Sequence, residues 1–301
     1  MDLPSPPTST SIEPGPATLD GRILVFGATG THGGAVARAL LGAGHSVTAF
    51  VRDPRSTRAQ ALERAGAQLV VGDLEDPASV SRGLEGIHAA YAVTTPFEGG
   101  PAAEIRQGEQ IIASAAQVQL PWLILASVAS APDADVPHFK SKARIEELLR
   151  QSALTWTVVA PSYFYENVLS LATAVSEGRL PLALPPQQPL QQVALSDLGA
   201  LVAAILARAA EHAGERIEVA ADDPTPEQMA NAIGVHHEQI PAAQIEQRSP
   251  DLAAMYSFLA RGGYTVDIDA LKQRYPEVPW RSFREWARAV EWHPAHPATP
   301  S

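Results

Sequence analysis

The sequence predicts an α/β fold in which a doubly wound parallel sheet is followed by a small C-terminal α/β lobe. Short apolar runs alternate with helical patterns between residues 23 and 160, and a glycine-rich loop joins the first run to the first helix. Parallel strands are apolar along their whole length because helices cover both faces of the sheet. The chain has 301 residues, 46% of them hydrophobic, which is enough to fill such a core.

Six apolar runs are predicted to form the strands of this sheet. Each run is short, and helical patterns separate the runs, which is typical of repeated strand–helix–strand units. The six runs lie at residues 23–26, 47–51, 69–71, 89–93, 122–126 and 155–159.

The first helix is predicted from the period of its apolar residues. A spacing of three and four residues places them on one face, and a glycine after the last of them favours the end of the helix. The face contains Val36, Ala39, Leu40 and Ala43, and the glycine is Gly44.

Further helix starts are predicted from capping residues. Asp76 followed by Pro77 indicates a helix between the third and fourth strands. Asp197 is expected to cap a helix that follows a proline-rich segment. Residues 225–228 and 282–285 each match a capping box and indicate two helices of the C-terminal lobe.

The chain divides into two folded regions and two tails. Residues 1–20 are rich in proline, serine and threonine and cannot bury enough apolar surface to fold, so we expect a disordered tail there. A second flexible tail is expected at 293–301. Residues 21–160 are predicted to form the sheet domain, and 161–292 a smaller lobe for a substrate or partner, with parts that return to the sheet.

Composition narrows the function classes. A formal net charge of −11 disfavours direct binding to nucleic acid or to an anionic membrane surface. The chain has no cysteine, which excludes disulfides, thiolate metal sites and cysteine nucleophiles. No histidine and carboxylate spacing indicates a metal site, and none is expected. Without a signal peptide or a long apolar segment, the protein is expected in the cytoplasm.

A glycine-rich loop follows the first predicted strand. Gly27, Gly30 and Gly33 stand three residues apart and lead directly into the first helix. Glycines in such a turn let backbone amides approach a pyrophosphate, and the helix N-terminus stabilises its charge. The sequence therefore predicts a Rossmann-type dinucleotide site; the alternative is a plain turn with a helix cap. Three side chains of the loop could add donors: Thr29, Thr31 and His32.

Arg52 follows the second predicted strand, where a Rossmann site distinguishes NAD from NADP. A carboxylate there binds the adenosine ribose of NAD, whereas a cation binds the 2′-phosphate of NADP. A bidentate guanidinium–phosphate contact contributes about 2 kcal/mol, roughly thirtyfold in affinity, so the sequence favours NADP(H) over NAD(H). Arg55 and Arg58 could reinforce it. Two alternatives stay open: Arg52 is solvated and paired with Asp53, or Asp53 binds the ribose of NAD.

Several motifs recur in a characteristic order along the chain: GATGTHGG, VRDP, HFKSKARIEELL, PSYFYEN, VALSDLGALVAAIL and TPEQMANAIG. In this the chain resembles the NmrA-like family, an atypical branch of the short-chain dehydrogenase/reductase superfamily with an extended NAD(P)-binding fold. The resemblance spans about residues 22–292. It is nearest in style to the NmrA-like redox sensors and more distant from the NADPH:quinone reductases of the family.

The resemblance implies which residues bind the cofactor. The loop 29–34 would hold the pyrophosphate, and Arg52 would hold the 2′-phosphate. A pair of residues after the third strand would flank the adenine. Two threonines after the fourth strand would lie beside the nicotinamide ribose. A segment after the sixth strand would lie at the nicotinamide, although its aromatic residues could equally belong to the lobe core. The implied cofactor-binding residues are Gly27, Thr29, Gly30, Thr31, His32, Gly33, Gly34, Arg52, Asp73, Leu74, Thr94, Thr95, Lys142, Tyr163, Phe164 and Asn167.

The resemblance also implies where catalytic residues would stand. Typical members of the superfamily carry a tyrosine four residues before a lysine; here Lys142 matches the lysine and would hold a ribose, but His138 replaces the tyrosine. A histidine titrates near neutrality and can act as a general acid, or it has an ordinary packing role. Ser127 stands where a serine would polarise the substrate, or it only ends a strand. Glu166 is expected to cap a helix.

Two functions follow from the resemblance. The first is an NADP(H)-binding redox sensor or regulator that changes shape or protein partner with the state of the cofactor, and the missing tyrosine favours it. The second is an NADPH-dependent reductase of a flat acceptor such as a quinone or enone, in which the cofactor supplies the hydride. An oligomer is compatible with both.

Overall fold

The computed structural model of the protein describes residues 21–292, so the predicted tails at 1–20 and 293–301 lie outside the described residues. Its strands, in chain order, are β1 (Arg22–Val25), β2 (Ser46–Val51), β3 (Gln68–Val71), β4 (Ala89–Ala92), β5 (Leu123–Ala126), β6 (Trp156–Pro161), β7 (Tyr163–Phe164), β8 (Arg179–Leu182), β9 (Gln192–Val193), β10 (Glu215–Val219) and β11 (His236–Gln239).

Helices connect these strands and cover both faces of the large sheet. Short 3-10 helices lie at Tyr165–Leu171 and Ala209–His212. The α-helices are α1 (Thr31–Gly42), α2 (Thr57–Arg64), α3 (Pro77–Leu84), α4 (Pro96–Gln117), α5 (Pro137–Arg150), α6 (Ala172–Ser176), α7 (Leu195–Ala207), α8 (Pro226–Ile233), α9 (Ala242–Arg248), α10 (Pro250–Ala260), α11 (Ile268–Arg274) and α12 (Phe283–Ala289).

Seven strands form one parallel sheet in the order β10-β6-β5-β4-β1-β2-β3. The central strand β1 pairs with β2 on one side and with β4 on the other. Because the strand order changes direction between β1 and β4, a crevice opens at their carboxyl ends, where doubly wound sheets bind ligands. The predicted doubly wound parallel sheet is confirmed, and all six predicted strands belong to it.

The seventh strand, β10, is absent from the predicted set. It comes from the segment 161–292 and pairs with β6 at one edge of the sheet. Ile217 and Val219 are buried, whereas Arg216 and Glu218, which alternate with them, are partly exposed. An edge strand covered on one face alternates apolar with polar residues, so β10 lacks the continuous apolar run that marks the other strands.

Helices α1, α2 and α7 cover one face of the sheet, and α3, α4 and α5 cover the other. Helix α1 packs tightly against α7, where a Cβ atom on Gly199 would lie 2.5 Å from the Cβ of Ala39. This packing holds α1, and with it the glycine-rich loop, against the sheet. The predicted α1 is confirmed with Val36 and Leu40 buried, but Ala43 lies just beyond its end and is exposed.

Three predicted helix starts are confirmed. The side chain of Asp76 accepts a hydrogen bond from the Ala78 amide at the start of α3. Thr225 and Ser282 each form the expected capping box, at the starts of α8 and α12.

The prediction that Asp197 caps a helix is wrong. Helix α7 begins at Leu195, and Asp197 lies buried in its first turn, where it accepts a hydrogen bond of 2.7 Å from the Arg281 amide. Both carboxylate oxygens of Glu166 lie 3.1 Å from the Leu195 amide instead. A carboxylate from a distant segment therefore satisfies the helix N-terminus, and the capping role expected of Glu166 is confirmed.

The remaining strands lie outside the large sheet. In the proline-rich region β8 pairs with β11 and β9 pairs with β7, in agreement with the prediction that this region supplies no central strand. Around them Tyr165, Phe283 and Trp286 form a separate apolar core. Within residues 21–292, no helix has the length and apolar character needed to cross a membrane.

Candidate functional site

A cavity of about 1030 Å³ opens at the carboxyl ends of the central strands. Its walls come from the glycine-rich loop, the ends of β2 to β6, the start of α4 and α5, and one side of α10. All but one of the predicted site residues line this cavity, and Gly34 is the exception. The structure therefore brings together residues that lie up to 140 positions apart in the chain.

The glycine-rich loop forms one wall of the cavity. Gly27 has a φ of +66°, which residues with a side chain rarely adopt. A Cβ atom on Gly33 would lie 2.4 Å from the carbonyl oxygen of Gly27, so the loop closes against the first turn of α1. The first amides of α1, those of Thr31, His32 and Gly33, have no acceptor inside the helix, and together with the helix dipole they favour an anion.

Gly34 lies behind this wall. It is buried in α1, and a Cβ atom there would lie 2.9 Å from the carbonyl oxygen of Ala28. Gly34 therefore allows the helix to pack closely against the loop. Thr29, by contrast, lines the cavity, and its carbonyl oxygen accepts a hydrogen bond of 3.2 Å from Arg58.

Arg52 lies at the end of β2 and forms a two-point ion pair with Glu98. Its Nη1 and Nη2 lie 2.9 and 3.1 Å from the two carboxylate oxygens, and this hydrogen bonding raises the pKa of Arg52. The pairing of Arg52 with Asp53, left open by the sequence, is wrong, because Asp53 accepts hydrogen bonds from Arg55. Both partners of the Arg52–Glu98 pair are more than half exposed, so the pair contributes at most about 1 kcal/mol to stability.

The ends of β3 and β4 supply the next part of the wall. Asp73 Oδ1 accepts a hydrogen bond of 2.9 Å from the Glu75 amide, so the carboxylate does cap the following turn, and Leu74 lies beside it on the cavity. Thr95 is the N-cap of α4 and accepts a hydrogen bond of 3.3 Å from the Phe97 amide. These side chains have local structural roles and still border the cavity.

His32 is held as a neutral ring at the start of α1. Its Nε2 lies 2.7 Å from the hydroxyl of Tyr91, and the edge of the ring meets Phe164 at a centroid distance of 5.2 Å. Burial and, secondarily, the nearby charge of Lys142 lower the pKa of His32 to about 3. At neutral pH its side chain therefore brings no positive charge to an anion in the cavity.

This depressed pKa predicts a pH dependence of stability. Between pH 6.5, the ordinary pKa, and about 3, the unfolded state binds a proton at His32 that the folded state does not. Stability should therefore fall as the pH drops through this window, by at most about 1.4 kcal/mol per pH unit. Urea unfolding of His32→Gln at pH 4.5 to 7 should show a shallower slope than the parent. A slope in His32→Gln as steep as that of the parent would contradict the assignment.

Lys142 lies on α5 and reaches the end of β4. Three acceptors surround its Nζ: the carbonyl oxygen of Thr94 at 2.7 Å, the hydroxyl of Thr94 at 3.1 Å and Oε1 of Glu104 at 2.8 Å. Glu104 is fully buried and also accepts a hydrogen bond from Ser141. An ammonium group has three donors, so each N–H of Lys142 has an acceptor within the protein.

Ser127 ends β5 and donates a hydrogen bond to Glu146. Glu146 is fully buried on α5 and is paired with Arg216 at 2.9 Å and with Arg150 at 2.5 Å. A hydroxyl has one proton to donate. While Ser127 donates it to Glu146, the oxygen can accept a hydrogen bond from a bound molecule but cannot polarise a carbonyl.

His138 lies in the first turn of α5 and contacts the lobe. Its Nδ1 lies 2.8 Å from Oδ2 of Asp251, and its amide donates a hydrogen bond of 3.0 Å to Oδ1 of the same residue. The ring also packs beside Phe97, at a centroid distance of 5.7 Å. His138 therefore holds the start of α10 against α5 and faces the cavity at the same time.

The end of the cavity beside β6 and α10 is mainly apolar and aromatic. Tyr163, Phe164 and Asn167, which the resemblance assigns to the nicotinamide, line this end of the cavity. The hydroxyl of Tyr163 lies 3.5 Å from that of Tyr256, and burial raises the pKa of Tyr163 well above its ordinary value. In the described part of the chain, no group of three or more acidic or histidine side chains is arranged to hold a metal.

Sequence reasoning missed two sets of cavity residues. One set lies on and after α10 and closes the aromatic end; its apolar pattern predicts a helix but does not say which surface the helix covers. The other set lies on α4, mostly in its first turn, where a charged residue after a proline resembles any exposed helix start. These residues are Leu252, Met255, Tyr256 and Tyr264, and Phe97, Glu98 and Gln107.

Curated relatives are similar in sequence to part of the chain. An NAD(P)H azoreductase from Xenophilus azovorans is 29% identical over 156 residues, which is 52% of this chain and 52% of that protein. An NmrA-like family domain-containing protein from Dictyostelium discoideum is 27% identical over 231 residues, 70% of this chain and 76% of the relative. The chain thus spans about half the length of the azoreductase that it matches.

Solved structures share the fold over nearly the whole chain. The NADPH-dependent quinone oxidoreductase of Escherichia coli in complex with NADPH matches with a TM-score of 0.76 and 22% identity, covering 88% of this chain and 98% of that one. NmrA, a negative transcriptional regulator solved in complex with NAD, matches with a TM-score of 0.74 and 22% identity over 90% and 95% of the two chains.

The family model of the NmrA-like family matches residues 19–287. The match includes the glycine-rich loop, the parallel sheet and most of the lobe. The chain therefore belongs to the NmrA-like family.

Proposed function

We propose that the protein binds a nicotinamide dinucleotide in the cavity, with NADP(H) preferred to NAD(H), and acts as a redox sensor or regulator. The observation that carries the proposal is that the first amides of α1 and the guanidinium of Arg52 border one elongated cavity. A pyrophosphate at the amides and a 2′-phosphate at Arg52 would each meet a complementary charge. A cytoplasmic location and a regulatory protein partner are parts of the same proposal.

Within this cavity the chain's own residues can bind and orient the dinucleotide. The loop 27–33 allows close approach of the pyrophosphate, and Asp73 and Leu74 border the space for the adenosine end. Tyr163 and Phe164 supply apolar surface at the opposite end for the nicotinamide, where a bound dinucleotide supplies a hydride.

The state of the candidate catalytic side chains favours the sensor. Lys142 is paired with Glu104, Ser127 donates to Glu146, and His138 contacts Asp251. A group that must donate a proton to a substrate has to be available to it in the cavity. Because Lys142 and Ser127 are already engaged with buried carboxylates, binding is better supported than acid catalysis by these two side chains.

A reductase is the second candidate, and the aromatic end of the cavity favours it. Met255, Tyr256 and Tyr264 line the cavity at this end and present apolar and aromatic surface. A quinone or a similar flat acceptor could lie there and receive a hydride with little help from a protein acid. The similarity to the azoreductase and the quinone oxidoreductase supports this candidate.

Calorimetry and an absorbance assay test the proposal together. We expect heat of binding with NADPH and NADP⁺ at micromolar protein, and no steady loss of nicotinamide absorbance with a panel of quinones and azo dyes. Binding without turnover supports the sensor, and steady turnover replaces it with the reductase. No heat with any of the four nicotinamide dinucleotides at millimolar concentration refutes both.

The choice of cofactor gives a separate prediction. Arg52→Met should weaken NADPH by about tenfold to thirtyfold and NADH by less than about threefold, because only NADPH loses a phosphate contact. Arg55→Met removes an equally charged residue that pairs with Asp53 outside the cavity, and it serves as the matched control. Equal losses for NADPH and NADH in Arg52→Met would contradict the role of this side chain.

A further inference from the structure

Glu98 pairs with the same atoms of Arg52 that a bound 2′-phosphate would contact. Glu98 places its two oxygens 2.9 and 3.1 Å from Nη1 and Nη2 of Arg52, and both residues line the cavity. The two outer nitrogens of Arg52 therefore already hold an anion. A phosphate and a carboxylate bind the same fork of the guanidinium, so they compete for it.

The charge around Arg52 also matters to a dianionic group. Besides Glu98, the charge of Asp73 acts on Arg52 and helps to raise its pKa. Arg58, another cation on the cavity wall, donates to the carbonyl oxygen of Thr29. A 2′-phosphate that approaches Arg52 therefore meets a charged guanidinium that already pairs with a carboxylate.

Glu98 stands on a segment that can move independently of the main helix. Residues 96–99 precede Gly100, whose φ of +80° and ψ of 172° break the helical path, and Pro101 follows directly. The pair with Arg52 joins two side chains that are 66% and 60% exposed, so little free energy holds it. Glu98 can therefore leave Arg52 without unfolding α4.

We propose that Glu98 is a specificity-determining residue that competes with the 2′-phosphate for Arg52 and so reduces the preference of the cavity for NADP(H) over NAD(H). A dinucleotide without the 2′-phosphate leaves the Arg52–Glu98 pair intact. A dinucleotide that carries the 2′-phosphate must displace Glu98 from Arg52 or share the guanidinium with Glu98. The inference rests on the proposed dinucleotide site but concerns a residue that the binding of NAD(H) does not require.

The affinities for adenosine 2′,5′-bisphosphate and for 5′-AMP test the adenosine end of the proposed site alone. Glu98→Gln should tighten the bisphosphate by about fivefold to tenfold at low salt and leave 5′-AMP within about twofold, because only the former carries the competing group. The gain should shrink in 0.5 M NaCl, since the charges are exposed. Equal changes for the two nucleotides would overturn the proposal.

Two further variants separate competition from general charge effects. Glu85→Gln removes an exposed carboxylate that does not line the cavity, and it should not change the affinity for the bisphosphate. In an Arg52→Met background, Glu98→Gln should gain much less, because no guanidinium is released. A full gain in that background, or an equal gain in Glu85→Gln, would refute competition for Arg52.

The outcome is distinct from a failure of the proposed function. If the parent protein binds NADPH but Glu98→Gln shows no selective gain, only the role of Glu98 is wrong. If the parent protein binds neither dinucleotide nor bisphosphate, the proposed site itself is wrong, and with it this inference. Thermal unfolding of Glu98→Gln should match the parent, which excludes misfolding of the variant as the cause of a missing gain.

Discussion

Gly33→Ala should abolish dinucleotide binding and lower the free energy of unfolding by about 3 kcal/mol. The added Cβ would lie 2.4 Å from the carbonyl oxygen of Gly27 and 3.0 Å from that of Phe26. Both obstacles are backbone atoms, which cannot rotate away as a side-chain end can. Relief of the clash would move α1 away from the loop, and the cost lies at the upper end of the range for overpacked sites.

A second glycine of the same helix provides the control. Gly42 is the last residue of α1, and a Cβ atom there meets no heavy atom within 4 Å. Gly42→Ala should therefore leave binding unchanged and raise stability by up to about 1 kcal/mol, because alanine loses less backbone entropy. Urea unfolding and calorimetry measure both quantities. A Gly33→Ala protein that binds NADPH as Gly42→Ala does would exclude the loop from the site.

The large sheet could be predicted because its signals are local. Each central strand is an apolar run, and Asp76, Thr225 and Ser282 cap the helices that directly follow them. Asp197 shows where this reasoning fails. It is a good capping residue by type, but Glu166, 29 positions away from Leu195, takes the role through tertiary contact. Strand β10, at the edge of the sheet, was not predicted for a similar reason, because its alternating pattern arises from tertiary packing on only one of its faces.

That the proposed site residues lie around one cavity could also be predicted, but their hydrogen-bonding and ionic partners could not. The carboxyl ends of parallel strands converge, so a strand-by-strand reading indicates which residues meet. It cannot indicate that Glu104, Glu146 and Asp251 reach Lys142, Ser127 and His138, because those carboxylates lie on other faces and elements. Buried carboxylates on α4 and α5 resemble exposed ones in a sequence. Their burial changes the chemistry expected of Lys142 and Ser127.

Lys142→Met should lower the free energy of unfolding by about 3–5 kcal/mol, because it leaves a buried carboxylate without its cation. Glu104 is fully buried, and Lys142 Nζ lies 2.8 Å from its Oε1. The hydroxyls of Thr94 and Ser141 also donate to Glu104 but bring no positive charge. Urea unfolding at pH 7 measures the loss. Lys140→Met, on the same helix with an exposed side chain, should cost less than about 1 kcal/mol.

A double variant separates the structural role of Lys142 from a role in binding. Replacing Glu104 together with Lys142 by methionine removes both buried charges, and stability should recover most of the loss. If Lys142 also holds a ribose, the double variant should still bind NADPH several-fold more weakly than the parent. If its affinity returns with stability, Lys142 acts only as the counter-ion of Glu104. Stability that does not recover would mean that the ion pair is not what Lys142 contributes, and the packing at the end of β4 would have to explain the loss.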